Sequence, residues 1–131
     1  VERLLVSHQH GFAGTTDAIA VMVGDRYPAI LDFKSSKTAL GQEEWRLQLA
    51  AYRIAALEYL GLDCRRRIII RLSRAEPETL HDHELPENEL EEDTACFLAL
   101  LRVFKWRQAA GEIHAPVSNS IGRIKFGRNG R

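Results

Sequence analysis

Cysteine is scarce in this sequence. Its 131 residues include Cys64 and Cys96 alone, far apart, with no CxxC and no Cys/His pair at ligand spacing. A structural zinc or an iron–sulfur cluster needs about four close ligands, so neither chemistry is expected. Two lone cysteines, with no secretory leader before them, are what a reduced, cytoplasmic protein is expected to carry. Long apolar runs are missing too. None approaches the ~18 residues that cross a bilayer, so no membrane partner is expected. There is no GxxxxGK[ST], which excludes a P-loop ATP motor in this sequence. Nor is there an excess of either charge, since 18 Lys and Arg face 18 Asp and Glu. That balance disfavours wholesale disorder. On a first reading it also disfavours a nucleic-acid ligand, because phosphate affinity needs clustered Lys and Arg. A start at Val1 rather than Met is expected of a processed chain or a piece of a longer one.

What is present is the composition of a globular chain, 45% hydrophobic. The length suits one domain that buries roughly two-thirds of its unfolded surface. Leu4-Leu5-Val6, then Phe12, and Ala18 to Val23 read as strands, with a turn at His10-Gly11. A second turn at Gly24 to Pro28 leads into Ala29 to Lys34, and the three strands suggest an antiparallel meander. Glu43 to Leu60 is rich in Ala and Leu and is stopped by Gly61, which predicts a largely buried helix. Ile68-Ile69-Ile70 reads as an inner strand and Leu80 to Leu85 as an edge strand. Asn88 and Glu91 have capping-box spacing, and Leu90, Phe97, Leu98, Leu101 and Phe104 recur at helical spacing up to Gly111. The expected fold class is therefore α/β, a central mixed β-sheet flanked by helices in β-β-β-α-β order. Residues 1–112 are expected to form the single domain, and residues 113–131 a basic, flexible tail.

Three polar residues interrupt the strand pattern. Asp17 opens the second strand, and Asp32 and Lys34 share one face of the third because they alternate with Phe33. If those strands pair across the turn near Gly24, a register centred on Asp25 brings Asp17 and Asp32 to the same end of the sheet. Two converging carboxylates suit a hard divalent cation such as Mg²⁺. A Lys beside them can stabilise developing charge or position a water. The plainer alternative is a surface Asp–Lys pair at a strand end.

Gly14-Thr15-Thr16-Asp17, then Asp32-Phe33-Lys34, then Gln48-Leu49-Ala50-Ala51-Tyr52 resembles the PD-(D/E)xK nuclease superfamily. It is most similar to the RecB-type and phage exonuclease branch, with its GxxD, (D/E)xK and QxxxY. Gly11-Phe12-Ala13 before the first motif and Ser35-Ser36-Lys37 after the second fit as well. The resemblance covers about Glu2 to Ser73. It implies a restriction-endonuclease-like core and a metal-dependent deoxyribonuclease of exonuclease type, acting in recombination or repair in a bacterial or phage-infected cell. It implies that Asp17, Asp32 and the backbone carbonyl of Phe33 ligate Mg²⁺ or Mn²⁺, and that Asp17, Asp32 and Lys34 are catalytic. Gln48 and Tyr52 would contact DNA or order the catalytic strand, Gly14 would permit close backbone approach, and Ser35, Ser36 and Lys37 would meet a phosphate. DNA is the implied partner, with a recombinase, helicase or single-strand-binding protein as further ones. Members of that branch usually bring another Glu or His ligand from a helix before GxxD. Here Glu2, His8 and His10 are the residues within reach.

Other features are weaker. Arg65-Arg66-Arg67, Arg71 and Arg74 suit phosphate contacts or a solvated strand end, and Trp45 suits base stacking or the core. His81-x-His83 reads as an edge-strand pair. Glu76 to Asp93 holds nine acids and no Lys or Arg, which reads as a solvated face and helix start. The zero balance thus becomes a polarised surface rather than an even one. The readings set against an exonuclease are a structure-selective endonuclease of junction-resolvase type and a non-catalytic DNA-binding module that keeps the nuclease fold.

Overall fold

Arg3–Ser7 (β1) and Phe12–Thr16 (β2) form a hairpin in which Leu5 and Ser7 face inward with Phe12, Gly14 and Thr16. Its turn closes with Gly11, whose backbone N–H donates to the Ser7 carbonyl at 2.9 Å. Gly11 takes a φ of 74°, a conformation that side chains other than glycine resist. One residue after β2, Ala18–Ala20 (β3) begins a second hairpin with Ala29–Lys34 (β4). The structure, a computed structural model, describes residues 2–21, 24–34, 42–73, 79–111, 120–121 and 124–126.

The long helix Gln42–Leu60 (α1) carries the chain from β4 to Arg66–Ser73 (β5). These two strands run parallel, an arrangement that needs such a crossover. Glu43 and Glu44 in the first turn of α1 complement its dipole. Its buried stripe is Leu49 to Tyr52, Ala55 and Ala56, and the small alanines let the helix lie close on β1 and β4. Gly61 ends it at a φ of 70°, its N–H donating to Leu57 at 3.1 Å. Thr79–Leu85 (β6) then returns antiparallel to β5 at the sheet edge.

A single 3₁₀ turn, Glu87–Glu89, leads into Leu90–Ala109 (α2). The expected Asn88 cap is corrected. Glu89 occupies the cap position without a side-chain bond, and the 3₁₀ turn, closed by Glu89 N–H on the Pro86 carbonyl at 3.2 Å, sets the helix entry instead. Leu90, Phe97, Leu101 and Phe104 form the buried face of α2. Phe97 meets Phe12 edge-to-face, with ring centroids 5.0 Å apart.

Ser120–Ile121 (β7) and Ile124–Phe126 (β8) pair with each other, and β8 pairs with β2. The expected tail therefore differs here. Ile124 is fully buried, and its burial against the core, with the free edge of β2, gives these residues a place in the fold. The fold is α/β, with one antiparallel sheet ordered β1-β2-β8-β7 and one mixed sheet ordered β3-β4-β5-β6. The expected meander of three strands is corrected: among the described residues four strands precede α1, divided between the two sheets at Asp17. Among the described residues no helix is long and apolar enough to cross a membrane.

Candidate functional site

The β3–β4 register pairs Ala18 with Leu31, Ile19 with Ile30 and Ala20 with Ala29. Extended by one step, it sets Asp17 opposite Asp32. Asp17 lies between β2 and β3, and its Oδ2 accepts the Phe33 backbone N–H at 2.7 Å. It thereby replaces the ladder bond that β3 would have supplied. The N–H and C=O of one strand residue point to the same side, so the Phe33 carbonyl also faces the Asp17 edge. Thr16 stitches the same junction, its hydroxyl donating to the Leu31 carbonyl at 3.2 Å.

Ile30, Asp32 and Lys34 form the face of β4 turned toward α1. Asp32 is 1% exposed. Burial pushes its carboxyl above the usual carboxylate range; Lys34 opposes that shift and the Asp17 carboxyl adds to it. The two carboxyl groups are thus close enough to sense one another. Lys34 Nζ lies 2.7 Å from Asp32 Oδ2 and donates to Gln48 Oε1 at 3.0 Å. Gln48 Nε2 donates to the Tyr52 hydroxyl at 2.9 Å, and that hydroxyl donates to the Thr15 carbonyl at 2.9 Å. One continuous chain therefore links Asp32, Lys34, Gln48, Tyr52 and β2. Gln48 and Tyr52 sit one helical turn apart on α1, which is why their spacing of four lets them meet. Both are buried, and they hold Lys34 and β2 by these bonds rather than present a surface. Gly14 is buried in mid-strand opposite Leu5.

The remaining candidates separate. The register that pairs Arg3 with Thr16 sets Glu2 alongside Asp17. His8 and His10 belong to the turn at the far end of that hairpin, five strand residues away, or ~17 Å. Of the three residues within reach of the motif in sequence, the direction of β1 thus carries these two away from the carboxylates. Among the described residues no three His, Cys, Asp or Glu gather into a group able to hold a metal. Ser35, Ser36, Lys37 and Arg74 lie outside the described residues.

The arginine run and the acidic run prove to be each other's counterions. Arg65 pairs with Glu87 at 2.8 Å, and Arg66 pairs with Glu84 at 2.6 Å and also with Asp25. Arg67 is fully buried and donates to Asp93 at 2.8 Å, which Arg46 also grips at 2.7 Å. The Arg65–Arg67 triplet is therefore paired internally, where the sequence allows either phosphate contacts or a solvated strand end. The acidic segment is likewise not simply a solvated face, since it holds β6 and α2 to β5.

Sequence reasoning missed the parts played by Thr15 and Thr16, whose only signal was adjacency to Asp17. It also missed Asp93 as a buried counterion, for which the signal was an acid at the apolar spacing of α2. Trp45 is half-buried against the core, with Lys34 Nζ 5.9 Å from its ring centroid. Both cysteines are free thiols, and burial pushes Cys64 up to about 11. No protein-family model and no curated protein matches this chain.

Proposed function

We propose that this chain is a metal-dependent deoxyribonuclease of exonuclease type, built on a restriction-endonuclease-like core and acting on DNA in recombination or repair. The observation that carries the reading is the meeting of Asp17 and Asp32, with Lys34 tied both to Asp32 and to the Gln48–Tyr52 pair. The β3-β4-α1-β5 order around them supports the core assignment.

The donor set fits a hard divalent ion. Asp17, Asp32 and the Phe33 carbonyl would hold Mg²⁺ or Mn²⁺ through oxygen alone, leaving room for retained waters. Such an ion, when bound, neutralises charge at the phosphate and makes water a better nucleophile at neutral pH. An ion there would also compensate the buried Asp32 charge that the fold alone disfavours. Lys34 spends donors on Asp32 and on Gln48. A third N–H remains for the attacking water or a phosphate oxygen, and the ammonium stabilises charge that develops there. Gln48 and Tyr52 keep Lys34 from turning away.

Cleavage of linear single- and double-stranded DNA with Mg²⁺ tests this reading, alongside covalently closed circles and four-way junctions. Linear DNA is expected to be degraded, and Asp32→Ala and Lys34→Ala to remove activity. Wild-type activity in both variants would reject the mechanism, and preferential cutting of circles or junctions would favour the junction-resolvase reading.

A non-catalytic DNA-binding module is the second reading. Its support is that, among the described residues, no three His, Cys, Asp or Glu form a group able to hold a metal. Calorimetry separates the two: no uptake of Mg²⁺ or Mn²⁺, with DNA binding intact, favours the module.

A further inference from the structure

A cavity of about 550 Å³, lined by Trp45 and Arg46 of α1, by Arg71 of β5 and by His81, Asp82 and His83 of β6, among others, lies one strand over from Asp32 and Lys34. Sheet register explains why these residues meet. Lys34 pairs with Arg71, which pairs with His81, and Asp32 pairs with Ile69, which pairs with His83. Residues paired in this way project from the same face. Lys34, Arg71 and His81 therefore form a row across three strands, about 10 Å long at ~4.8 Å per strand spacing. The row runs perpendicular to the strands and begins at the Asp32–Lys34 pair.

Arg71 differs from its arginine neighbours. Arg65, Arg66 and Arg67 each hold a carboxylate. Among the described residues Arg71 makes no ion pair, and its Nε is buried without a hydrogen-bond partner. An arginine with a buried, unsatisfied N–H lining a cavity is expected to serve an anion, and its planar fork matches a phosphate. The acids near the cavity do not fill that role. Glu89 is engaged by Arg46 at 3.3 Å, and Asp82, which also lines the cavity, makes no ion pair with Arg71. Trp45 forms an apolar wall between Lys34 and the cavity, of the kind on which a base can stack.

We propose that this cavity is a phosphate subsite for the nucleic-acid strand. Arg71 holds the phosphate of a nucleotide adjoining the scissile one, His81 and His83 border it, and the strand runs across β4, β5 and β6. The proposal rests on the nuclease reading and adds to it a direction of approach. Arg71 holds substrate and does no chemistry.

The test is fluorescence anisotropy of a labelled single-stranded oligonucleotide, with Ca²⁺ replacing Mg²⁺, over a range of salt, on the full chain. Arg71→Ala is expected to weaken binding about tenfold and to reduce the salt slope by about 0.7, the value for one lost phosphate contact on a single strand. Arg71→Lys is expected to keep the slope and lose part of the affinity. Because Arg71 is half-buried, the exposed double variant His81→Ala/His83→Ala carries the same test without threatening the fold, and is expected to weaken binding several-fold. Inorganic phosphate at millimolar concentration is expected to compete with the oligonucleotide in wild type but not in Arg71→Ala. Equal affinity and slope in wild type and every variant overturns the subsite, as does an unaltered chain that binds no oligonucleotide. Undiminished cleavage in Asp32→Ala and Lys34→Ala is the separate result that would remove the nuclease reading.

Discussion

Tyr52→Phe isolates the coupling of α1 to β2 and β4, because it deletes one oxygen and leaves the ring in place. Tyr52 is fully buried, and its hydroxyl makes two bonds of 2.9 Å, one accepted from Gln48 and one donated to Thr15. No cavity worth a methyl group is created, so the cost is electrostatic. Each lost bond is worth about 1 kcal/mol net, and the Gln48 N–H and Thr15 carbonyl left behind add to it, for a total of about 2–3 kcal/mol. Against a typical total of about 5–15 kcal/mol this is a large share. For a chain of this length it corresponds to a fall in Tm of about 8–12 °C. The functional effect is distinct. With its amide no longer pinned, Gln48 can turn, and Lys34 loses its second anchor. We expect kcat to fall about tenfold with KM little changed, the signature of an interaction made chiefly in the transition state. Urea denaturation with steady-state cleavage measures both quantities. A Gln48→Leu/Tyr52→Phe cycle is expected to show coupling of at least about 0.5 kcal/mol. A stability change below about 0.5 kcal/mol together with an unchanged kcat would refute the relay.

Other outcomes follow from the same geometry. Asp93→Ala strands the buried Arg67 without its carboxylate and is expected to cost about 3–5 kcal/mol in urea denaturation, whereas Arg67→Met/Asp93→Leu recovers most of it; equal losses would show that the pair is not the cause. Glu58 accepts from the Ser7 hydroxyl and the Gln9 N–H, which hold its carboxyl below its ordinary 4.5. Its contribution is present above the unfolded value and lost as pH falls through the lower folded value, so Glu58→Gln should flatten the acid limb of Tm against pH below about 4.5, and parallel curves would contradict this. His8→Ala and His10→Ala are expected to leave Mn²⁺ affinity unchanged by calorimetry; a tenfold loss in either would contradict their place at the far hairpin turn. Phe97→Ala removes the partner of Phe12 and is expected to cost about 3–5 kcal/mol by thermal denaturation.

The sequence was most informative where periodicity and punctuation agree. The helix ending at Gly61 and the inner strand at Ile68–Ile70 are each marked by local chemistry, and both stand where that chemistry puts them. The pairing that aligns Asp17 with Asp32 followed from counting across one turn, because an antiparallel register is fixed by its centre. What could not be read depends on partners distant in the chain. Arg65 to Arg67 look alike in sequence, but Arg67 turns inward, where Asp93, brought by α2, makes its charge tolerable. Asn88 and Glu91 have the right spacing for a capping box, yet the turn following Pro86 already dictates the entry angle. Ile124–Phe126 carries too little local preference to announce a strand, and gains one from the edge of β2. His8 and His10 looked close to the motif because they are close in sequence, whereas a hairpin separates residues near its turn from those at its open end.

The single-residue gap between β2 and β3 has a mechanical consequence. Asp17 is the seam where two separately laddered sheets join, so the spacing of the carboxylates reports the tilt of one sheet against the other. The Thr16 hydroxyl on Leu31 crosses that seam directly, and the Tyr52 hydroxyl on Thr15 reaches β4 through Gln48 and Lys34. On its outer side β2 is braced by β8, whose Ile124 anchors in the core. Slack introduced at Ile124, remote from any charge, would therefore travel along β2 and open the carboxylate pair, making a C-terminal apolar residue a tuner of the site's aperture.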